Sequence, residues 1–384
     1  MLTRLHVRGY KALETLTATF EPLTVVAGPN GCGKTSLLDS ILMVRDFVML
    51  DAKTARAAHP FEEVRSNGGK PAAAIGAELW AKLSQRSQDL IQESAEYQGQ
   101  VDALSEPRGG HALRAWLEYS SDERPSVAAK FVPAFAGQEL QQEIIDSCLG
   151  EIRRLDLDLN VIRRPSYSPR VIPHMTSSGD GLASVLSWLQ GEQPDKFELI
   201  QEQLRELVPE VKRIRIGRAS VMWSDPSVPA ERAAPREMIG DQVIFDFQHA
   251  RGVVAKHASE GILLLLGLLT TMNTESVSVL LLDHFERSLH PQSQRHLVQY
   301  LRGISEGGIQ VVVTSPSPFF LPHFQPSEIR AMVATEGGAW MGKLSSLARR
   351  PEYGRWEDEM SPSELRGVLG EGWLQKIQAG ESST

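Results

Sequence analysis

An α/β fold organised around a phosphate-binding loop is predicted by three observations. Gly28-Pro29-Asn30-Gly31-Cys32-Gly33-Lys34-Thr35 is a complete G-x-x-x-x-G-K-S/T loop. The apolar run 23–27 before it has the character of a buried strand, and residues 36–42 after it that of a helix, which is the context the loop requires. A second apolar strand, 277–282, ends in Asp283, and a carboxylate at the carboxyl end of a buried strand is the expected companion of such a loop.

In chain order, residues 2–7 alternate as a strand, Gly9 to Leu13 turns, and 16–20 forms a second strand, so that a hairpin leads into the loop. Tyr10 and Lys11, at this turn, are placed either to touch a bound nucleotide or simply to lie on the hairpin surface. Gly28, Gly31 and Gly33 allow the backbone to turn with its N–H groups inward, and the concave anion site ends at the positive N-terminus of the following helix. Lys34 is positioned for the β/γ-phosphates and the Thr35 hydroxyl for Mg²⁺. The expected nucleotide contacts are Gly28, Pro29, Asn30, Gly31, Cys32, Gly33, Lys34, Thr35 and Ser36 together with Ser259, Glu260 and Gly261, and the expected Mg²⁺ residues are Thr35 and Asp283.

A strand is expected at 72–81. Leu83, Leu90, Tyr97 and Leu104 recur every seven residues, which suits either a stub of coiled coil or an amphipathic surface helix. Another strand follows at 112–119, and a helical stripe runs from Leu140 through Ile152 to Leu155. Arg153, Arg154, Arg163, Arg164 and Arg170 make the densest basic cluster, readable as arginines paired with Glu151, Asp156 and Asp158 or as a phosphate-backbone patch. Ser178-Gly179-Asp180-Gly181-Leu182-Ala183 is expected to open a helix through Leu189, a second helix runs from Phe197 to near Pro209, and strands follow at 211–216 and 243–247 around a Pro-rich loop. Ser259-Glu260-Gly261 precedes the apolar helix 262–269, a second helix N-terminus able to hold an anion. The expected organisation is a first lobe at 1–82, a helical α+β insertion at 83–175, a second lobe at 176–335 and a tail at 336–384.

The 384 residues suffice for two or three domains, and 41% hydrophobic with 23% charged content is ordinary for a folded protein. A net charge of −8 argues against non-specific coating of nucleic acid, so DNA contact is expected only through a local basic patch. Two cysteines, Cys32 and Cys148, form no disulfide framework and suit a reducing compartment, so the cytoplasm is expected. The most apolar segment, 261–269, is about half of the ~20 residues that a membrane span needs. No membrane partner is expected.

The order of phosphate loop, Ser259-Glu260-Gly261, apolar strand with Asp283, Leu289-His290-Pro291, and a strand ending in Thr314-Ser315-Pro316-Ser317-Pro318-Phe319-Phe320 resembles the ABC-type ATPases of the RecF/SMC/OLD class. More narrowly, it is similar to compact bacterial AAA-like members found in DNA repair and in anti-phage or toxin–antitoxin systems. The likeness covers the first forty residues and roughly 178–321. It implies an ABC-ATPase-like P-loop sandwich, a mixed sheet with an N-terminal antiparallel part, binding ATP and Mg²⁺. It further implies a homodimer around ATP, in which Lys34, Thr35 and Asp283 act in cis while Ser259 and Gly261 act in trans. A separately encoded effector such as a nuclease is the implied partner, since nothing after Asp283 resembles a nuclease domain.

Two departures bear on mechanism. The family pattern after the strand is Asp-Glu-x-Glu, its first Glu polarising the attacking water; here the run is Asp283-His284-Phe285-Glu286. The family's switch histidine falls on Pro316, whose side chain can neither donate nor accept. A neutral His284 can accept a proton but lacks a carboxylate's negative charge, and removing a general base typically costs 10²–10⁴-fold in rate. The resulting expectation is an ATP-dependent dimeric switch with slow or absent hydrolysis. The alternatives are a DNA-stimulated ATPase in which His284, Glu286 or a partner group activates water, and a transporter's nucleotide-binding subunit. The long separation of loop and signature, and a signature without glutamine, oppose the last.

Overall fold

The computed structural model describes residues 1–66, 74–83, 112–120, 125–132, 138–224, 234–317, 319–335 and 338–344. They form two compact units that interleave along the chain: the first comprises Met1–Arg153, Val277–His284 and Tyr300–Thr384, the second Arg154–Ser276 and Phe285–Gln299. The heptad positions Leu90, Tyr97 and Leu104 lie outside the described residues.

The first unit opens with β1 (Leu2–Tyr10), β2 (Leu13–Thr19) and β3 (Leu23–Ala27), followed by helix α1 (Lys34–Met49), short helices α2 (Ala52–Ala58) and α3 (Phe61–Val64), and β4 (Ala74–Lys82), β5 (Ala112–Ser120) and β6 (Ser126–Val132). Helix α4 (Gln138–Ile145) then leads to β7 (Ile152–Leu155), where the unit ends. The chain returns as β11 (Val279–Asp283), and later as β12 (Gln310–Ser315), β13 (Ile329–Thr335) and β14 (Gly338–Lys343).

Two sheets result. One is antiparallel, in the order β2-β1-β4-β5-β6; the other is mixed, in the order β14-β13-β3-β12-β11-β7. Alternating burial along β1 and β5 marks strands with one face on the core, whereas β3 and β12 are buried at every residue. That is why their sequences centre on consecutive apolar residues, Val25–Val26 and Val311–Val313, rather than alternating with exposed polar ones. Leu37, Leu38, Ile41 and Val44 make one stripe of α1 and pack into the same core as Val7, Ile75 and Leu281.

Buried polar side chains tie this unit together. Gln310, at the start of β12, accepts from the Leu2 amide at 2.7 Å and donates to the carbonyls of Leu2 and Glu21 at 2.8 and 3.1 Å, joining β12 to β1. Arg330 on β13 is 1% exposed, yet its guanidinium donates to Thr19 and Ser327 carbonyls and pairs with Glu21 at 3.1 Å. Burial alone would raise the Glu21 carboxyl, but Lys343 and Arg330 together hold it below its ordinary value.

The second unit contains α5 (Leu159–Ile162), α6 (Leu182–Glu192), α7 (Pro194–Leu207), the hairpin β8 (Val211–Trp223) and β9 (Arg236–Phe247), a two-residue strand β10 (Val253–Val254), and α8 (Glu260–Thr274). Helix α8 is buried without interruption from Gly261 to Thr271, so it is a central helix rather than an amphipathic one. Gly267 permits that packing, since a Cβ there would lie 2.8 Å from Leu157 and 2.9 Å from Ile162. Asp246 on β9 accepts from the Gly252 amide and from Arg215 and Arg213, which together hold its carboxyl at about 2. Helix α9 (Pro291–Glu306) begins in this unit and runs into the first.

Two local expectations are corrected. The stripe from Leu140 to Leu155 is not one helix: α4 ends at Ile145, a π-helical turn occupies Asp146–Gly150, and Ile152 and Leu155 are the buried ends of a strand. Apolar spacing of three or four fits a helix face, but Gly150 ends the turn and the Glu151 carbonyl accepts from Ser278 beside β11. The strands expected at 211–216 and 243–247 extend to 13 and 12 residues, because they pair with each other from Val211↔Phe247 to Trp223↔Arg236. Among the described residues no helix is long and apolar enough to cross a membrane.

Replacing Gln310 by alanine strands the Leu2 amide and two carbonyls, and is expected to lower stability by about 1–3 kcal/mol. A reduced urea midpoint for the transition of the first unit checks this; an unchanged midpoint contradicts it.

Candidate nucleotide site

The loop sits where β3 ends. Gly28 is required by close approach, because a Cβ there would lie 2.0 Å from the Met332 carbonyl of β13. Gly31 and Gly33 have φ of 81° and 102°, the left-handed region that glycine enters without steric cost. Gly33 is the N-cap of α1, and no side chain caps that helix, so its first amides face the loop's concavity.

Within the loop, Pro29, Asn30 and Gly31 are exposed, Cys32 packs into the core, Thr35 is exposed and Ser36 half-buried. Burial pushes the Cys32 thiol up, which keeps it protonated and inert. Lys34 is only 3% exposed, and its ammonium donates to the carbonyls of Gly28 and Pro29 at 2.9 and 2.8 Å. The charge is therefore held inside the ring of the loop.

The sheet brings Asp283 to the same place. Strands β3, β12 and β11 are parallel neighbours, with Ala27 beside Ser315 and Thr314 beside Asp283, so their carboxyl ends are level. The Thr35 hydroxyl donates to Asp283 Oδ2 at 2.9 Å, and the Thr314 hydroxyl bonds Asp283 Oδ1. A hydroxyl and a carboxylate are hard oxygen donors of the kind Mg²⁺ prefers. Among the described residues no group of three or more His, Cys, Asp or Glu could cage a metal, and Mg²⁺ is usually held by one or two carboxylates together with phosphate oxygens.

His284 turns the chain out of β11. Its φ is 50°, and its amide donates to the Thr314 carbonyl at 3.1 Å and to the Thr314 hydroxyl at 3.2 Å. Its Nε2 lies 3.8 Å from Asp283 Oδ1. At the end of β12, the Gly28 amide donates to the Ser315 carbonyl at 3.3 Å and Ser315 Oγ accepts from the Ser317 amide at 3.0 Å, followed by none of the polar chemistry a switch histidine would bring.

The remaining site residues belong to the second unit. Ser259 is the exposed N-cap of α8. Glu260, expected among the nucleotide contacts, accepts from the Ser288 hydroxyl at 2.9 Å and pairs with Arg163 at 3.5 Å. A Cβ at Gly261 would lie 2.7 Å from the Ser288 carbonyl and 2.8 Å from Leu289, so this glycine lets the 288–289 segment close on α8. Glu286 is buried within this unit, and its carbonyl accepts from the Leu289 amide and from Gln294.

Two other expectations are resolved. Tyr10 is wholly buried in the core, which removes its side chain from nucleotide contact, and Lys11 pairs with Asp39 of α1 at 2.6 Å. Within the arginine cluster, Arg154 pairs with Asp156 as the local reading has it, while Arg153 donates to the Gly150 carbonyl, Arg163 pairs with the distant Glu260, and Arg170 contacts His174. Thr314 opens the 314–320 run that carries the family resemblance, but nothing in that run shows its bond to Asp283.

The left-handed backbone at position 284 tolerates asparagine but penalises a β-branched side chain. His284→Val is expected to destabilise by about 1 kcal/mol or more relative to His284→Asn. Equal thermal midpoints for the two variants contradict this geometry.

Comparisons with known proteins bear on this arrangement. Residues 183–321 match a family model described as "AAA domain, putative AbiEii toxin, Type IV TA system", and residues 4–54 match a second model described as "AAA domain". An OLD nuclease of Thermus scotoductus is 38% identical over 61 residues, which are 16% of this chain and 12% of that protein. The chain thus spans a small part of that relative's length. The SMC head bound to the C-terminal winged-helix domain of ScpA superposes with a TM-score of 0.58 at 15% identity, over 91% of this chain and 99% of that one. The SMC head with an extended coiled coil from Pyrococcus furiosus, bound to the C-terminal domain of ScpA, gives 0.56 at 13% identity, over 92% and 99%. The two family matches carry the loop and the Asp283 strand, the SMC heads share the mixed α/β architecture, and in fold and motif order the chain is similar to the ABC-type P-loop ATPases of the RecF/SMC/OLD class.

Proposed function

We propose that this chain binds ATP and Mg²⁺ and dimerises around the nucleotide as a slow or non-hydrolysing switch. The observation that carries the reading is the 2.9 Å contact between Thr35 of the loop and Asp283 of the neighbouring parallel strand, which pairs the two oxygen ligands that Mg²⁺ would need. Lys34 holds its ammonium inside the loop, where it would meet the β/γ-phosphates, and the amides of Gly31 to Thr35 would surround them. Mg²⁺, when bound, would neutralise phosphate charge at Thr35 and Asp283. Ser259 and Gly261 of a second copy would complete the site, and a ligand that prefers the closed dimer shifts the population by its differential affinity, without hydrolysis.

Slow turnover rests on chemistry at two positions. His284 stands where a carboxylate would polarise water, and Pro316 where a histidine would sense the γ-phosphate. The setting is DNA repair or anti-phage defence in the cytoplasm, with a separately encoded effector: the toxin–antitoxin description of the matched model and the nuclease relative both point that way. The ScpA domains on the SMC heads support a partner protein on this fold.

A second reading is a DNA-stimulated ATPase in which His284 takes the proton from water, favoured by its placement beside Asp283. The two part on phosphate release: added DNA leaves it slow in the switch reading, while in the second it rises and His284→Ala abolishes the rise.

Binding of ATP is the direct test. The wild type is expected to bind ATP more tightly with Mg²⁺ than without, Lys34→Ala to weaken binding by about 10–100-fold, and Asp283→Asn to lose the Mg²⁺ dependence. Equal affinity in wild type and Lys34→Ala contradicts the proposal.

A further inference from the structure

We propose that Thr314 is a positioning residue that sets the carboxylate of Asp283 for its metal, an inference that rests on the nucleotide reading above. Three features converge on this side chain. Thr314 is 0% exposed at the carboxyl end of β12, the strand between the loop strand and the Asp283 strand, in register with Asp283 on one side and Val26 on the other. Its hydroxyl donates to Asp283 Oδ1, while Oδ2 accepts from Thr35. The same hydroxyl oxygen accepts from the His284 amide at 3.2 Å, and its carbonyl accepts from that amide at 3.1 Å.

A hydroxyl has one proton and two acceptor positions, and both kinds are used here. With its proton given to Oδ1 and the His284 amide occupying its acceptor side, the hydroxyl of the buried Thr314 cannot rotate freely. Oδ1 is thereby fixed to the strand, and Oδ2 turns toward Thr35, where the metal would sit. The left-handed turn at His284 is pinned by the same residue, so the carboxylate and the position after it are oriented together. Partners of metal-binding carboxylates commonly govern affinity in this way, with 10–100-fold losses when they are removed. Pro316, just past β12, brings no side-chain polarity, whereas the Thr314 side chain on β12 bonds the Asp283 carboxylate directly.

The test is the Mg²⁺ dependence of binding of a fluorescent ATP analogue, measured from excess EDTA to saturating Mg²⁺. Thr314→Val keeps the shape of the side chain and removes the hydroxyl. It is expected to raise the Mg²⁺ concentration at half-effect by about 10–100-fold while leaving the affinity in EDTA unchanged, and Thr314→Ser is expected to return the Mg²⁺ midpoint to within about threefold of wild type. Adding Thr314→Val to Asp283→Asn should then produce no further shift. A wild-type Mg²⁺ midpoint in Thr314→Val, with Asp283→Asn shifted, overturns the role of Thr314 alone. A Thr314→Ser midpoint as poor as that of Thr314→Val, or a matching loss of affinity in EDTA, also overturns it, since either marks a merely structural residue. Failure of the wild type to respond to Mg²⁺ overturns the nucleotide reading, and this role with it.

Discussion

The parallel register of β3, β12 and β11 is the constraint on which the candidate site depends. One strand delivers the phosphate loop, one delivers Asp283, and the strand between them delivers Thr314 and Ser315. A shift of one residue in either pairing would turn each of these side chains to the opposite face of the sheet. The register is secured by burial: strands covered on both faces, in contact with the stripe of α1, have one arrangement that leaves no apolar surface in water. Gln310 at the other end of β12 adds a polar lock, because its three hydrogen bonds have to be remade in any slipped pairing.

On that frame the candidate site carries its own loop and Asp283 on the binding side and departs from the family pattern on the reactive side. Gly28 fits under the Met332 carbonyl, Gly33 turns into α1, Lys34 lies within the loop, and Thr35 meets Asp283. The position after Asp283 carries an imidazole on a left-handed backbone, and the strand beside it continues into Pro316. Oxygen ligands and phosphate-binding amides contribute ground-state affinity, whereas a water-activating carboxylate contributes to the transition state. The proposed slow switch rests on this split, in which the binding groups are kept and the water-activating carboxylate is replaced. The signature region keeps its own order: Gly261 admits the 288–289 segment against α8, and Glu260 fastens that segment through Ser288.

Much of this was legible in the sequence because the signals were local. The glycine spacing of the loop, the apolar strand ending in Asp283, and Ser259-Glu260-Gly261 before an apolar helix each state their chemistry within a few residues. What was not legible depends on contacts between distant segments. The stripe from Leu140 to Leu155 has helical spacing, yet its end is a strand because the backbone beside β11 accepts it. Tyr10 sits next to a turn, which in sequence suggests exposure, but the hairpin folds its ring into the core. The contacts of Glu260 with Ser288 and Arg163 likewise join segments far apart in the chain and leave no mark in its local sequence. Thr314 stands in the 314–320 run, yet its contact is not legible there, since only the register of β12 beside β11 brings its hydroxyl to Asp283.

The central claim is that ATP binding, rather than its hydrolysis, drives association. It is tested most directly by light scattering of the intact chain with and without ATP and Mg²⁺, with phosphate release followed in the same sample and His284→Glu run in parallel. The account predicts a long-lived dimer that appears with ATP and releases little phosphate, and a shorter-lived dimer with faster release in His284→Glu. A mass that stays monomeric with ATP bound, or rapid phosphate release by the wild type, would contradict it.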